Sequence, residues 1–214
     1  MSEQPRKENR GQLFVISAPS GAGKTSLVRA LMECSNTIGV AISHTTRAKR
    51  PEETDGINYH FVPEVEFNAL VDRGEFLESA TVFEHLYGTS TSAVNLILHQ
   101  GKHLILEIDW QGAAQVRQKL PGTQSIFIFP PSLSALRDRL ENRAQDDVET
   151  VDKRMSAAFE ELSHWHEFDY LIVNDQFDTA LAQLQAVVAG EGADYHRNRQ
   201  FKALGHLIED LLPQ

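Results

Sequence analysis

The sequence predicts an α/β fold, a parallel sheet flanked by helices with a mixed insertion near its start. Three observations carry this. Strand-like and helix-like segments alternate over residues 102–188, as strands joined by crossover helices do. A glycine-bearing turn, Gly21–Gly23, joins the first strand to the first helix. Residues 36–90 break the alternation.

The elements follow in order. Gln12–Ser17 (QLFVIS) is β-rich, and Lys24–Cys34 reads as a helix with Leu27, Leu31 and Cys34 on its apolar stripe, which places Cys34 in the core. Lys102–Asp109 (KHLILEID) is a near-continuous apolar run, as a parallel strand covered on both faces requires. Ala113–Leu120 is helical and stops at Pro121-Gly122; Gln124–Phe129 is a strand ended by Pro130-Pro131. Helices at Leu133–Asn142 and Val148–Trp165, a strand at Asp169–Asn174 and a helix at Thr179–Val188 complete the alternation. The insertion holds strands at Val40–His44, Asn58–Val62 and Phe76–Val82, and a helix at Pro63–Arg73 closed by Gly74. Residues 1–10 read as a loose tail, Ala189–Tyr195 as a linker, and His196–Leu212 as one helix with Phe201, Leu204, Ile208 and Leu211 on a common face. That face suits packing on the core and a homo-oligomeric contact equally.

Composition narrows the function. The 214 residues carry 20 Lys+Arg against 30 Asp+Glu, a net charge of −10. Such a balance opposes coating nucleic acid or an anionic membrane by bulk charge. The apolar runs are strand-sized, far short of a membrane span, and the polar N-terminus lacks a signal peptide's apolar stretch, so a cytoplasmic protein is expected. One cysteine excludes an intramolecular disulfide and a multi-cysteine zinc site.

Ser17–Ser26 (SAPSGAGKTS) follows a strand and opens a helix, the context a phosphate loop requires. Ala18, Pro19, Ser20, Gly21, Ala22, Gly23, Lys24, Thr25 and Ser26 would cradle a nucleoside triphosphate. Its glycines let backbone N–H groups converge at a helix N-terminus. Lys24 would reach the β- and γ-phosphates, and the Thr25 hydroxyl would bind Mg²⁺ directly. The full pattern begins with Gly; here Ala18 stands there.

In Ser43–Tyr59 (SHTTRAKRPEETDGINY), Arg47 and Arg50 offer guanidinium forks suited to a second phosphate, with Tyr59 and Tyr87 as hydroxyl partners. A solvated basic loop balanced by Glu52, Glu53 and Asp55 is the competing reading. Glu107 and Asp109 end an apolar strand, where ligands of α/β sheets gather. Two apart on a strand, they would share a face and could orient Mg²⁺ through water.

SAPSGAGKTS, SHTTRAKRPEETDGINYHFV, FLESA, HLYGT, LILEIDWQGA, RLENR, KRMSAA and VND stand in the order and spacing of guanylate kinases, over roughly residues 11–190. The chain therefore resembles that family. The resemblance implies transfer of phosphate from ATP to GMP or dGMP in guanine nucleotide metabolism and GMP recycling. It also implies a P-loop NTPase-like core (11–35 and 91–190), a mobile GMP-binding region (36–90), a helical lid (about 137–154), and closure that keeps ATP from water. By position, Ser43, Arg47, Arg50, Tyr59 and Tyr87 match residues around the GMP phosphate. Glu78 and Thr89 match residues that read guanine, and Asp109 lies near base and phosphates. Arg139, Arg143 and Arg154 match lid and phosphate-contacting arginines; Arg137 has a weaker claim. Asn174 and Asp175 resemble adenine-side contacts. Thr89 replaces a frequent Ser but keeps the hydroxyl, and Ala144 follows RLENR where many members have Gly.

Guanine presents N1–H and N2–H₂ as adjacent donors, which a carboxylate such as Glu78 accepts together. Adenine's N1 acceptor would leave that carboxylate unpaired, a strong basis for rejection. Three rivals are weaker. A kinase with another acceptor has no reason to keep this pocket. A non-catalytic binding module typically lacks a working phosphate loop. A regulatory GTPase would carry an Asn-Lys-x-Asp motif, and none occurs.

Overall fold

The structure is a computed structural model that describes residues 10–82, 84–144 and 148–212, with the side chains of 143–144 and 148–150 outside the description. Nine of the ten residues read as a loose tail, 1–9, lie outside the described residues, as do Asp146 and Asp147. In chain order the elements are β1 (Leu13–Ser17), α1 (Lys24–Glu33), β2 (Ile38–Val40), β3 (His44–Thr45), β4 (His60–Phe61), α2 (Glu64–Asp72), β5 (Phe76–Val82), β6 (His85–Ser90), α3 (Thr91–His99) and β7 (His103–Glu107). There follow α4 (Trp110–Lys119), β8 (Gln124–Phe129), α5 (Leu133–Ala144), α6 (Val148–Ser163), β9 (Tyr170–Val173), α7 (Phe177–Val188), α8 (Arg197–Ala203) and α9 (Gly205–Leu211).

The chain divides into two compact units. One holds residues 14–36 and 106–214. Its strands β1, β8 and β9 form a parallel ladder, with Val15 opposite Ser125 and Phe127 opposite Leu171. Every residue of β1 is buried, and so are Ser125–Phe129 of β8, because helices cover both faces of a parallel sheet. Leu27, Val28 and Leu31 of α1 and Ala180, Leu184 and Val187 of α7 supply helical stripes to this core.

The other unit holds the described residues of 10–13 and 37–105. β2 and β7 pair in parallel, and a four-stranded sheet runs β4-β3-β6-β5. β5 and β6 form an antiparallel hairpin whose turn holds Glu84 at φ 66°. Phe67 and Phe76 meet at a tilt with ring centres 4.8 Å apart over Gly88, where a Cβ would come within 3.0 Å of Phe67. Gly88 thus lets two aromatic rings lie on the sheet.

Several expectations are corrected. The segment 40–44 is not one strand: it leaves β2 at Val40 and enters β3 of a different sheet at His44. β6 and α3 were not anticipated, since HLYGTS contains a glycine and α3 carries the apolar run Ile97-Leu98 in a short helix. Ser90 caps α3 by accepting from the Ala93 N–H at 3.5 Å. Cys34 is exposed, because α1 ends one residue earlier and Cys34 is its C-cap. The C-terminal helix is two helices that part at Leu204, whose ψ of 3° interrupts the spiral before Gly205. Phe201 is therefore exposed while Leu211 is buried. The expected linker contains a 3₁₀ turn, Gly192–Tyr195, with Gly192 seated so closely on α7 that a Cβ would meet Val187 at 2.6 Å.

Candidate active site

The phosphate loop grows out of β1, whose last residue, Ser17, is buried. Gly21 and Gly23 take φ of 90° and 92°, angles that other residues adopt only with strain. α1 then starts at Lys24 with no acid in its first turn, so its N-terminal N–H groups and dipole are available to an anion. Ala18, where the motif usually has glycine, is buried and not among the positive-φ residues. The conformation therefore makes no demand for glycine there.

Three groups hold the loop. The Asn174 amide donates to the Ala22 carbonyl at 2.7 Å. A Cβ on Gly23 would sit 2.3 Å from that same amide nitrogen. Arg139 donates to the Asn174 carbonyl at 3.0 Å, which ties this arginine of α5 to the end of β9. The Ser20 N–H donates to the Glu161 carboxylate of α6 at 3.0 Å.

Asp109 is not on the strand with Glu107. β7 ends at Glu107, and Asp109 is the N-cap of α4, accepting from the Gly112 N–H at 2.8 Å. The shared-face reading of Glu107 and Asp109 therefore does not hold. Burial pushes the Asp109 and Glu161 carboxyls up, while the Lys24 ammonium pulls both back. Thr25 is exposed on the first turn of α1. No three His, Cys, Asp or Glu side chains converge as a metal cage among the described residues. One hydroxyl and one or two carboxylates suit a hard cation that keeps waters and takes its other ligands from phosphate, as Mg²⁺ does.

Around α4, Trp110 stacks on His164 at 3.6 Å, and Glu167 accepts from His164 and, at 2.8 Å, from Arg117. Trp165 lies on Phe201 at 5.8 Å.

The second unit gathers the other predicted residues. Glu78 on β5 stands opposite Thr89 on β6, and both are buried, at 2% and 0% exposure. The Thr89 and Ser43 hydroxyls are 2.9 Å apart. Arg47 forms a fork with Glu53, its two nitrogens donating at 3.0 and 2.7 Å. This pair holds the Arg47 guanidinium up and the Glu53 carboxyl down. Arg47 also lies 5.6 Å from the Tyr59 ring, and Tyr59 lies 5.9 Å from Tyr87. Arg50 is exposed, and it is its backbone N–H that reaches Glu53, at 2.8 Å.

In α5 and α6, Arg137 pairs with Asp152 at 2.9 Å. Arg154 is half-buried and the Arg143 side chain lies outside the description, as does that of Glu149. Asp175 is exposed. Sequence reasoning missed Glu161, and it treated Glu53 only as a balancing charge. Neither carries a local signature.

A phosphate loop on a parallel α/β sheet, with a lysine, a hydroxyl and flanking acids, defines a P-loop phosphotransferase. A family model described as "Guanylate kinase" matches residues 10–191. The chain is 55% identical over 203 residues to the guanylate kinase of Alkalilimnicola ehrlichii, covering 94% of this chain and 98% of that one. It is 53% identical over 202 residues to that of Pseudomonas fluorescens, covering 94% and 97%. The crystal structure of guanylate kinase from Anaplasma phagocytophilum superposes with a TM-score of 0.72 at 30% identity, covering 91% of this chain and 95% of that one. The chain belongs to the guanylate kinase family, phosphotransferases that phosphorylate GMP using ATP.

Proposed function

We propose that this chain transfers the γ-phosphoryl group of Mg-ATP to GMP, and to dGMP, giving ADP and GDP or dGDP. The observation that carries the acceptor is Glu78, a buried carboxylate opposite buried Thr89 in the unit that also holds Arg47, Tyr59 and Tyr87. A carboxylate there accepts the N1–H and N2–H₂ of guanine and leaves adenine mismatched. Arg47, Arg50, Tyr59, Tyr87 and Ser43 bind the monophosphate and its surroundings. Glu53 keeps the Arg47 fork extended before the phosphate arrives.

On the donor side, the loop Ala18–Ser26 takes the triphosphate, and Lys24 orients its outer phosphates. Thr25 would hold Mg²⁺, with Asp109 and Glu107 acting through water, and the ion would supply charge neutralisation on the phosphates. Arg139, Arg143 and Arg154 offset charge on the transferring group from a lid of about 137–154, and Asn174 supports the ATP side. The GMP phosphate oxygen attacks in line, with no covalent intermediate and no essential side-chain base, because phosphoryl transfer needs alignment and electrostatics above all.

The domain reading is a core of 11–35 and 91–190, a GMP region of 36–90 and a C-terminal segment of 191–214. We place the activity in the cytoplasm with no nucleic-acid or membrane partner. The net charge of −10 supports this, and no described helix is long and apolar enough to cross a membrane. The test is ADP production by the purified chain with Mg-ATP and either GMP or AMP. Turnover with GMP alone is expected. Turnover with AMP would overturn the reading of Glu78, and turnover with neither would favour a binding module.

A further inference from the structure

The Ser20 N–H is a half-buried donor in a loop whose shape suits an anion, and its partner comes from 141 residues away. That partner, Glu161, lies on α6 between Ala158 and Leu162, which are both fully buried. Val151, Met155 and Ala158 of this helix pack on Leu136 and Leu140 of α5. The same two leucines lie under the loop, since a Cβ on Gly21 would come 3.1 Å from each. Loop, α5 and α6 therefore share one packing. Helix geometry adds a second link. Residues seven apart share a face, so Arg154 stands on the Glu161 face about 10 Å back along the axis.

Glu161 is half-buried beside apolar neighbours, and a carboxylate partly withdrawn from water is unfavourable unless donors and a cation compensate it. Here the Ser20 N–H and the nearby Lys24 ammonium do so, against the burial that pushes the Glu161 carboxyl up and the opposing charge of Asp109. An ordinary surface acid on α6 has none of these neighbours.

We infer that Glu161 is a positioning residue for the ATP half of the reaction, holding the Ser20 amide so that the phosphate loop keeps its shape beside Lys24 and in step with the helix that carries Arg154. This rests on the reading of the loop as the cradle of the ATP phosphates. Glu161 need not touch the nucleotide, because it acts through the backbone of Ser20.

Two variants of similar side-chain length separate this from bulk packing. Glu161→Met keeps the volume and removes the acceptor, whereas Glu161→Gln keeps an oxygen for the Ser20 N–H. Binding of a non-hydrolysable Mg-ATP analogue and of GMP is measured separately by calorimetry, with steady-state KM for each substrate. In Glu161→Met, analogue affinity falls about tenfold and KM for ATP rises in parallel, the scale of one lost hydrogen bond to a charged group. GMP affinity stays within about twofold, and Glu161→Gln recovers analogue affinity to within about threefold of the wild type.

Wild-type analogue affinity in Glu161→Met would overturn the inference while leaving the loop reading intact. Equal losses for analogue and GMP, or a Gln variant no better than Met, would assign Glu161 to general stability and overturn it too. A wild-type chain that fails to bind the analogue would overturn the loop reading itself, and the inference with it.

Discussion

In the proposed reading, the phosphate loop and the patch around Ser43, Arg47, Glu78 and Thr89 would meet phosphate and base by different means. The loop is a contiguous stretch of main chain, shaped by two glycines at φ near +90° and aimed by the start of α1. The patch is made of side chains on β5, β6 and the segment around β3, brought together by pairings such as Glu78 opposite Thr89. A backbone site tolerates side-chain change but not a change of angle. A side-chain site tolerates loop variation but not a slip of register, which would turn Glu78 and Thr89 to the opposite face. The two have one device in common. In each, a carboxylate occupies donors suited to an anion: Glu161 on the Ser20 N–H, and Glu53 on the Arg47 fork.

The largest expected effect breaks the loop side alone. Lys24→Ala removes the cation proposed to meet the outer phosphates, so kcat should fall by roughly 10²–10³. Circular dichroism and calorimetric GMP binding stay near the wild-type values, since Arg47, Glu78 and Thr89 lie in the other unit. A variant that turns over at the wild-type rate would remove Lys24 from the mechanism.

The second effect breaks the patch. Glu78→Gln swaps one of two acceptor oxygens for a donor in a buried position. kcat/KM for GMP should fall by roughly 10² while KM for ATP changes little, because a buried polar mismatch costs far more than a lost surface contact. Assays with GMP and AMP in parallel read the discrimination directly. An unchanged preference would mean that the base is read elsewhere.

This contrast also explains what could be read from the sequence. The loop was legible because its chemistry lies within ten consecutive residues after a strand and before a helix. β8 was legible to the residue, since Gln124–Phe129 carries the apolar run Ile126–Phe129 and is bounded by turn residues. Glu78 was readable only through family resemblance, because a carboxylate near a strand's start has no local mark. Glu161 was invisible, being one of several acids on α6 and made special only by Ser20, far away in sequence. Asp109 was placed on a strand that stops short of it, and Cys34 on a helix that ends before it. In both, an apolar pattern fixed the element's kind but not the cap that ends it. The break at Leu204 escaped for the same reason.

The smallest expected effect sharpens the comparison by using glycines of like conformation. Gly23 in the loop has φ 92°, and Gly74, after α2 in the other unit, has φ 67°. Both backbones resist a Cβ, at a cost of about 1–2 kcal/mol. Their surroundings differ. A Cβ at Gly74 meets nothing within 4 Å, whereas one at Gly23 would sit 2.3 Å from the Asn174 amide nitrogen. That nitrogen is the donor that holds the Ala22 carbonyl. Gly74→Ala should therefore lower stability by the conformational cost alone, about 1 kcal/mol, or about 2–4 °C in melting temperature, with both KM values unchanged. Gly23→Ala carries that cost and also displaces Asn174, so KM for ATP rises while KM for GMP does not. Thermal melts and steady-state kinetics on the two variants test this. If Gly23→Ala behaved like Gly74→Ala, the Asn174 contact would have no part in shaping the loop, and backbone angle alone would account for the glycine.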